Sequence, residues 1–110
     1  MGILYNELDF FEFFKKEPEV DHDCKSIDYV LPIDNFILRL RFSLYGQNVS
    51  VWLFHNVQGG IFSLDLENIA EMKLDKQERD CVFLRLYKKN SDDPELGIKL
   101  APNISWRYKI

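Results

Sequence analysis

The chain has 110 residues, of which 46% are hydrophobic and 15% aromatic, and its formal net charge is −4. A chain of this size has room for one domain with a stable core, so we expect a single globular domain over residues 1–110. Its apolar runs are short and interrupted by charges, which argues against a membrane span. The first residues are acidic where a signal peptide would be positive, so we expect a mature cytoplasmic protein.

The negative charge is concentrated in the first third of the chain. Residues 1–35 hold nine acidic and three basic side chains, a net charge of −6, whereas residues 36–110 carry +2. Binding to phosphates requires a clustered cationic surface, so this balance disfavours nucleic acid and anionic membranes as partners. It favours a basic protein partner, although acidity that serves only solubility gives the same composition.

The first predicted element is a helix over residues 6–16. Asn6 or Asp9 can cap its N-terminus, and Pro18 ends it. Its apolar residues form a stripe at helical spacing and a wider arc, so we expect the helix to lie across the open face of a sheet and to bury most of its four phenylalanines. The alternative leaves Phe10 or Phe13 exposed in a partner-binding patch. The stripe consists of Leu8 and Phe11, extended by Tyr5 and Phe14 and widened by Phe10 and Phe13.

Alternating apolar and polar residues predict a series of short strands after an acidic connector over residues 17–23. The clearest pair lies within Phe36–Phe54 and is joined by a turn at Gly46. The second strand of this pair is apolar on both faces, as is typical of a central strand covered on both sides. The predicted strands cover residues 26–33, 36–45, 49–54, 61–66, 69–74, 81–88, 96–101 and 104–110.

Short strands joined by tight turns indicate an antiparallel β-meander. We therefore expect a β-rich α+β fold in which one N-terminal helix packs on the meander. A sandwich, a half-barrel and a single curved sheet all agree with the pattern.

No catalytic motif accompanies these elements, because both a glycine-rich phosphate loop and a nucleophile elbow are missing. Residues 21–24, Asp-His-Asp-Cys, are metal-ligand types, but they are consecutive and no second cluster completes a site. His55 stands alone, which favours a structural or surface role. Cys24 and Cys81 are expected to be reduced thiols. The sequence therefore predicts no enzyme, no metal and no cofactor.

Four arginines on polar strand faces have three interpretations. Arginine and aromatic side chains on a sheet face can bind single-stranded nucleic acid, and they are also enriched at protein interfaces. In the third interpretation each arginine pairs with an acid on a neighbouring strand. Because the net charge is negative, we rank pairing first, a protein interface second and nucleic acid third. The residues are Arg39, Arg41, Arg85 and Arg107.

In overall form the chain resembles the small acidic immunity proteins of bacterial toxin systems, including contact-dependent growth inhibition. The resemblance implies a non-catalytic inhibitor that covers the basic active site of a nuclease toxin, with acidic side chains facing that partner. The alternatives are a small-ligand-binding or enzymatic β-domain and a single-stranded nucleic-acid-binding sheet. The acids that carry the resemblance, and that we expect to bind the partner, are Glu7, Asp9, Glu12, Glu17, Glu19, Asp21, Asp23 and Asp28.

Overall fold

In the computed structural model, the described part of the chain forms one helix followed by nine strands. The structure describes residues 2–15, 17–23, 25–43, 45–77, 81–101 and 103–108. No helix within these ranges is long and apolar enough to cross a bilayer. The elements are α1 (Glu7–Phe14), β1 (Glu19–Asp21), β2 (Ser26–Ile33), β3 (Phe36–Ser43), β4 (Val49–His55), β5 (Gly59–Leu66), β6 (Ile69–Gln77), β7 (Cys81–Lys88), β8 (Leu96–Ala101) and β9 (Ser105–Tyr108).

The strands form two antiparallel sheets in which neighbours in sequence are neighbours in space. Sheet 1 has the order β1-β2-β3-β4-β5, and sheet 2 has the order β6-β7-β8-β9. The chain passes from sheet 1 to sheet 2 at Asn68. The φ angle of this residue is 60°, in the left-handed region that asparagine tolerates well. The predicted β-rich α+β class with an antiparallel meander and an N-terminal helix is confirmed.

One hydrophobic core lies between the inner faces of the two sheets. Leu40 and Val51 of sheet 1 and Leu84 and Ile98 of sheet 2 all have 0% exposure. The meander is therefore divided into two antiparallel sheets that contribute to one hydrophobic core. The alternating pattern positions these residues correctly because successive side chains of a strand point to opposite faces.

Helix α1 begins at a cap that the sequence anticipates. The Oδ1 atom of Asn6 accepts a hydrogen bond of 3.2 Å from the backbone N–H of Asp9. The helix ends at Lys15, which takes a left-handed φ of 61° and donates its N–H to the carbonyl of Phe11. Lys16, the last residue of the predicted helix, lies outside the described residues.

The prediction that α1 buries most of its phenylalanines is confirmed, since two are buried and Phe13 is half-buried. Phe10 and Phe14 are buried, and their rings lie 5.4 and 5.0 Å from the ring of Tyr29 on the inner face of sheet 1. Leu8 and Phe11, which the sequence places in one stripe with Phe14, are 63% and 46% exposed. Phe10 and Phe14 lie one turn apart and contact Tyr29 together, so the aromatic surface of β2 selects them over the other stripe.

The connector predicted over residues 17–23 contains a strand instead. β1 pairs antiparallel with β2, with Glu19 opposite Asp28 and Val20 opposite Ile27. All three residues of β1 are exposed, so the segment carries no alternating pattern. Backbone groups form the pairing, which is why the prediction missed it.

The outer face of β4 differs from the covered face that the sequence predicts. Phe54 is 39% exposed, and Trp52 is half-buried with the guanidinium of Arg39 5.3 Å from its ring centre. Helix α1 packs on the other, inner face of sheet 1. The apolar outer residues of β4 therefore lie at a partly solvated surface rather than beneath a second layer.

The segment before α1 is bound to the edge of sheet 2. The N–H of Leu4 donates to the carbonyl of Ala70, and the N–H of Met72 donates to the carbonyl of Leu4, both at 2.9 Å. This parallel bridge satisfies edge groups of β6, which would otherwise be available to other chains. It also fixes the N-terminus of α1 beside β6.

Candidate protein-binding surface

Seven of the eight acidic side chains predicted to bind a partner are accessible. They lie on α1, on the segment that follows it, on β1 and on the turn before β2. Among the described residues Glu7, Glu12 and Glu19 form no ion pair. The exposed acids are Glu7, Glu12, Glu17, Glu19, Asp21 and Asp23, while Asp9 is half-buried and Asp28 is buried.

Exposed apolar side chains accompany the acids of the helix. Leu4 is 67% exposed, Leu8 63% and Phe11 46%, and Glu7 and Glu12 lie beside them in the sequence. We call these five residues the α1 surface. An apolar centre with a charged rim is the usual composition of a protein interface. The Leu8–Phe11 stripe was visible in the sequence, but helical spacing alone cannot distinguish a core stripe from an interface stripe.

A groove runs between the start of α1 and β6. It has a volume of about 750 Å³ and is lined by residues 4–9 and 71–75. Its carboxylates outnumber its single lysine, Lys73, which lies 3.7 Å from Glu71. Glu71 and Asp75, which alternate with apolar residues as an ordinary solvent face does, line the groove on the side of sheet 2, and each has a cationic partner, Lys73 for Glu71 and Arg85 for Asp75. The sequence could not reveal this because the Leu4 bridge brings the two segments together.

Asp28 differs from the other acids because its carboxylate is held inside sheet 1. The Nε and Nη2 atoms of Arg39 donate to its two oxygens, both at 3.2 Å. Arg41 approaches the same carboxylate at 3.5 Å. The hydrogen bonds with Asp28 raise the pKa of Arg39. Pairing, the first-ranked interpretation of these arginines, is confirmed, and we expect Asp28 to support the surface rather than to touch a partner.

Removing this carboxylate is expected to cost stability. In Asp28→Ala the guanidinium groups of Arg39 and Arg41 lose their shared acceptor, but both are partly solvated, so we expect a loss of about 1–2 kcal/mol in the free energy of unfolding. Urea denaturation measures it. Glu12→Ala, a change at an exposed acid, serves as the control and is expected to stay within about 0.5 kcal/mol of the parent chain. Equal stability of the two variants would contradict the structural role of Asp28.

Other residues weighed in the sequence have structural roles. Arg85 donates from Nη1 to Asp75 at 2.7 Å, which confirms pairing there as well. The Nδ1 atom of His55 accepts from the N–H groups of Val57 and Gln58, each at 3.2 Å, and so supports the β4–β5 turn. The part of the chain that the structure describes contains no group of three metal-ligating side chains. Cys81 is a free, half-buried thiol, whereas Cys24 lies outside the described residues.

Two tyrosines beneath α1 are kept neutral by burial. Tyr29 is 3% exposed, and the ring of Tyr5 contacts those of Phe10 and Phe42, each at 5.1 Å between centroids. Burial raises the pKa of Tyr29 far above its ordinary value, and burial also raises that of Tyr5. The packing of α1 on this tyrosine–phenylalanine cluster therefore requires that the phenols of Tyr5 and Tyr29 stay protonated.

This cluster predicts a loss of stability at alkaline pH. Tyrosines of the unfolded chain ionise near pH 10, while the folded state keeps Tyr29 protonated, so the free energy of unfolding falls as pH rises above about 10. For one such tyrosine the slope approaches about 1.4 kcal/mol per pH unit. Urea denaturation between about pH 8 and pH 11 measures it. Tyr29→Phe removes this contribution, whereas Tyr45→Phe, at an exposed ring, leaves it intact. An unchanged slope in Tyr29→Phe would overturn the assignment.

Comparison with known proteins finds a similar fold but no similar sequence. No family model and no curated protein matches the sequence. Among solved structures, a chain of a contact-dependent growth inhibition toxin–immunity protein complex from Klebsiella pneumoniae 342 superposes with a TM-score of 0.71. The match covers 97% of this chain and 96% of that one at 16% identity. The predicted resemblance to immunity proteins of such systems is thus confirmed in the fold.

Proposed function

We propose that this chain is a cytoplasmic immunity protein that neutralises a toxin domain by binding it stoichiometrically. The single observation that carries the proposal is the α1 surface, where exposed apolar side chains lie among carboxylates that have no ion-pair partner in the described part of the chain. A surface of this kind suits a partner with a basic cleft. The fold shared with a chain of a toxin–immunity protein complex supports the same role.

The inhibitor acts by covering the toxin rather than by chemistry. We propose that the partner is a nuclease-type toxin, because an active site that binds nucleic acid needs cationic side chains. The exposed acids from Glu7 to Asp23 attract that site and speed association, and Leu8 and Phe11 bury apolar area once the proteins meet. Occlusion excludes the nucleic-acid substrate without any catalytic group on the inhibitor.

A small-ligand or enzymatic role receives less support. It would require a titratable side chain in a deep pocket. His55 supports a turn and does not line the groove between α1 and β6, and the carboxylate of Asp28 is occupied by arginines.

Co-expression with a candidate toxin domain, sought among the genes adjacent to this one, tests the proposal. Cells producing the toxin alone are expected to stop growing, and cells producing both proteins are expected to grow. In vitro, the purified chain is expected to abolish nucleic-acid cleavage at one equivalent of inhibitor. Growth arrest despite co-expression would contradict the immunity role, whereas protection from a toxin that cleaves no nucleic acid would contradict only the nuclease assignment.

A further inference from the structure

A second groove lies on sheet 2 and differs in charge from the first. It has a volume of about 850 Å³. Three cations and a single acid line it, although the chain as a whole is acidic. The lining residues are Phe83, Arg85, Asp93, Pro94, Gly97, Lys99, Ser105, Trp106, Arg107 and Tyr108. We call it the cationic groove.

The strand register places the three cationic residues around Gly97, which has no side chain. Arg85 of β7 and Arg107 of β9 are both opposite Gly97 of β8, so their Cα atoms are about 10 Å apart, two strand spacings. A Cβ atom added at Gly97 would meet nothing within 4 Å, so the space between the two arginines is empty. Lys99 lies two residues along β8, opposite Phe83 and Ser105.

Much of the positive charge in the groove is free. The side chains of Lys99 and Arg107 form no ion pair or hydrogen bond with any residue that the structure describes. Arg85 uses Nη1 to bind Asp75, and its guanidinium lies 4.6 Å from the ring centre of Phe83. A guanidinium has five N–H donors, so a single partner leaves donors unused.

We propose that the cationic groove binds a short acidic peptide segment of a protein partner. Carboxylates match the unused donors, and guanidinium–carboxylate pairs are among the strongest hydrogen bonds that proteins form. A long nucleic acid is disfavoured because the chain as a whole has a net charge of −4, which repels a polyanion larger than the groove. A peptide segment places negative charge only where the groove is positive. The site is separate from the α1 surface, so its failure would leave the proposed immunity role intact.

Nuclear magnetic resonance on the isolated chain tests this site without a known partner. The probe is a short peptide in which glutamate alternates with alanine, and the matched control replaces each glutamate by lysine. At low ionic strength the acidic peptide is expected to shift the backbone amides of Gly97, Lys99, Ser105 and Arg107 in a saturable manner. Salt at about 1 M is expected to abolish these shifts, because the Debye length falls to about 3 Å.

Variants locate the binding. Gly97→Val places a side chain that is favoured in strands in the space between Arg85 and Arg107. We expect it to remove the peptide-induced shifts, while the other signals remain those of the folded chain. Arg107→Ala is expected to weaken binding about tenfold, whereas Lys89→Ala, at an exposed lysine outside the groove, changes nothing. The proposal is overturned if the acidic peptide shifts no groove amide, or if binding survives in Gly97→Val. It is also overturned if single-stranded oligouridylate shifts these amides and the acidic peptide does not.

Discussion

Replacing Phe10 by alanine is expected to lower the free energy of unfolding by about 3–5 kcal/mol. Phe10 has 0% exposure and contacts the rings of Tyr5, Phe14 and Tyr29 at 5.1–5.7 Å, so alanine leaves a cavity at the centre of the aromatic cluster. A domain of this size is stable by only about 5–15 kcal/mol, and the loss is therefore a large share of the total.

The adjacent residue is the matched control. Phe11→Ala removes the same side chain from the same helix, but Phe11 is 46% exposed, so we expect a loss of less than about 1 kcal/mol. Urea denaturation of both variants gives the comparison. If Phe11→Ala were the more destabilising change, this orientation of α1 would be wrong, and the helix face that carries Leu8 and Phe11 would be the buried one.

Reversing the charge of the α1 surface is expected to weaken binding to the cognate toxin domain. In Glu7→Lys/Glu12→Lys two carboxylates that we propose to face a basic cleft become cations, and we expect an affinity loss on the order of 100-fold, with much of it in a slower association rate. Surface plasmon resonance at low and high salt measures both quantities. The difference between variant and parent is expected to shrink as salt increases.

The control for this variant changes net charge equally at another place. Glu67 and Asp92 are exposed acids outside α1, and Glu67→Lys/Asp92→Lys is expected to retain most of the affinity. An equal loss in both variants would mean that the toxin responds to the overall charge of the chain and not to the helix. In that case the α1 surface would not be the binding site.

The sequence predicts strands better than it predicts which helix face is buried. Alternation assigns residues such as Leu40 and Leu84 to the core because a strand has only two faces and one must exclude water. Helix α1 offers two apolar stripes, one through Leu8 and Phe11 and one through Phe10 and Phe14. The choice depends on Tyr29, which is distant in sequence and whose position follows from the sheet register.

In the candidate surface, too, the residue types were predicted from the sequence, whereas their accessibility was not. Its acids were predicted from charge, which needs no structure. Leu8 and Phe11 were recognised as parts of an apolar stripe, but helical spacing did not reveal that they are exposed. Glu71 could not be linked to Glu7 because the backbone bridge at Leu4 has no sequence signal. Asp28 carried the expected charge, but only the register between β2 and β3 reveals that Arg39 and Arg41 enclose it. The local sequence pattern therefore predicts which residue types lie at a surface. Pairing between distant segments decides which of these side chains are accessible to a partner.

Hydroxyl-radical footprinting of the complex with the cognate toxin domain tests the central claim, that the α1 surface binds the partner. Phe11 and Phe54 are chemically identical probes with similar exposure, 46% and 39%, and they lie on α1 and on the outer face of sheet 1. Both are expected to oxidise in the free chain. In the complex we predict that oxidation of Phe11 falls severalfold while that of Phe54 is unchanged. Protection of Phe54 with full reactivity at Phe11 would contradict the account.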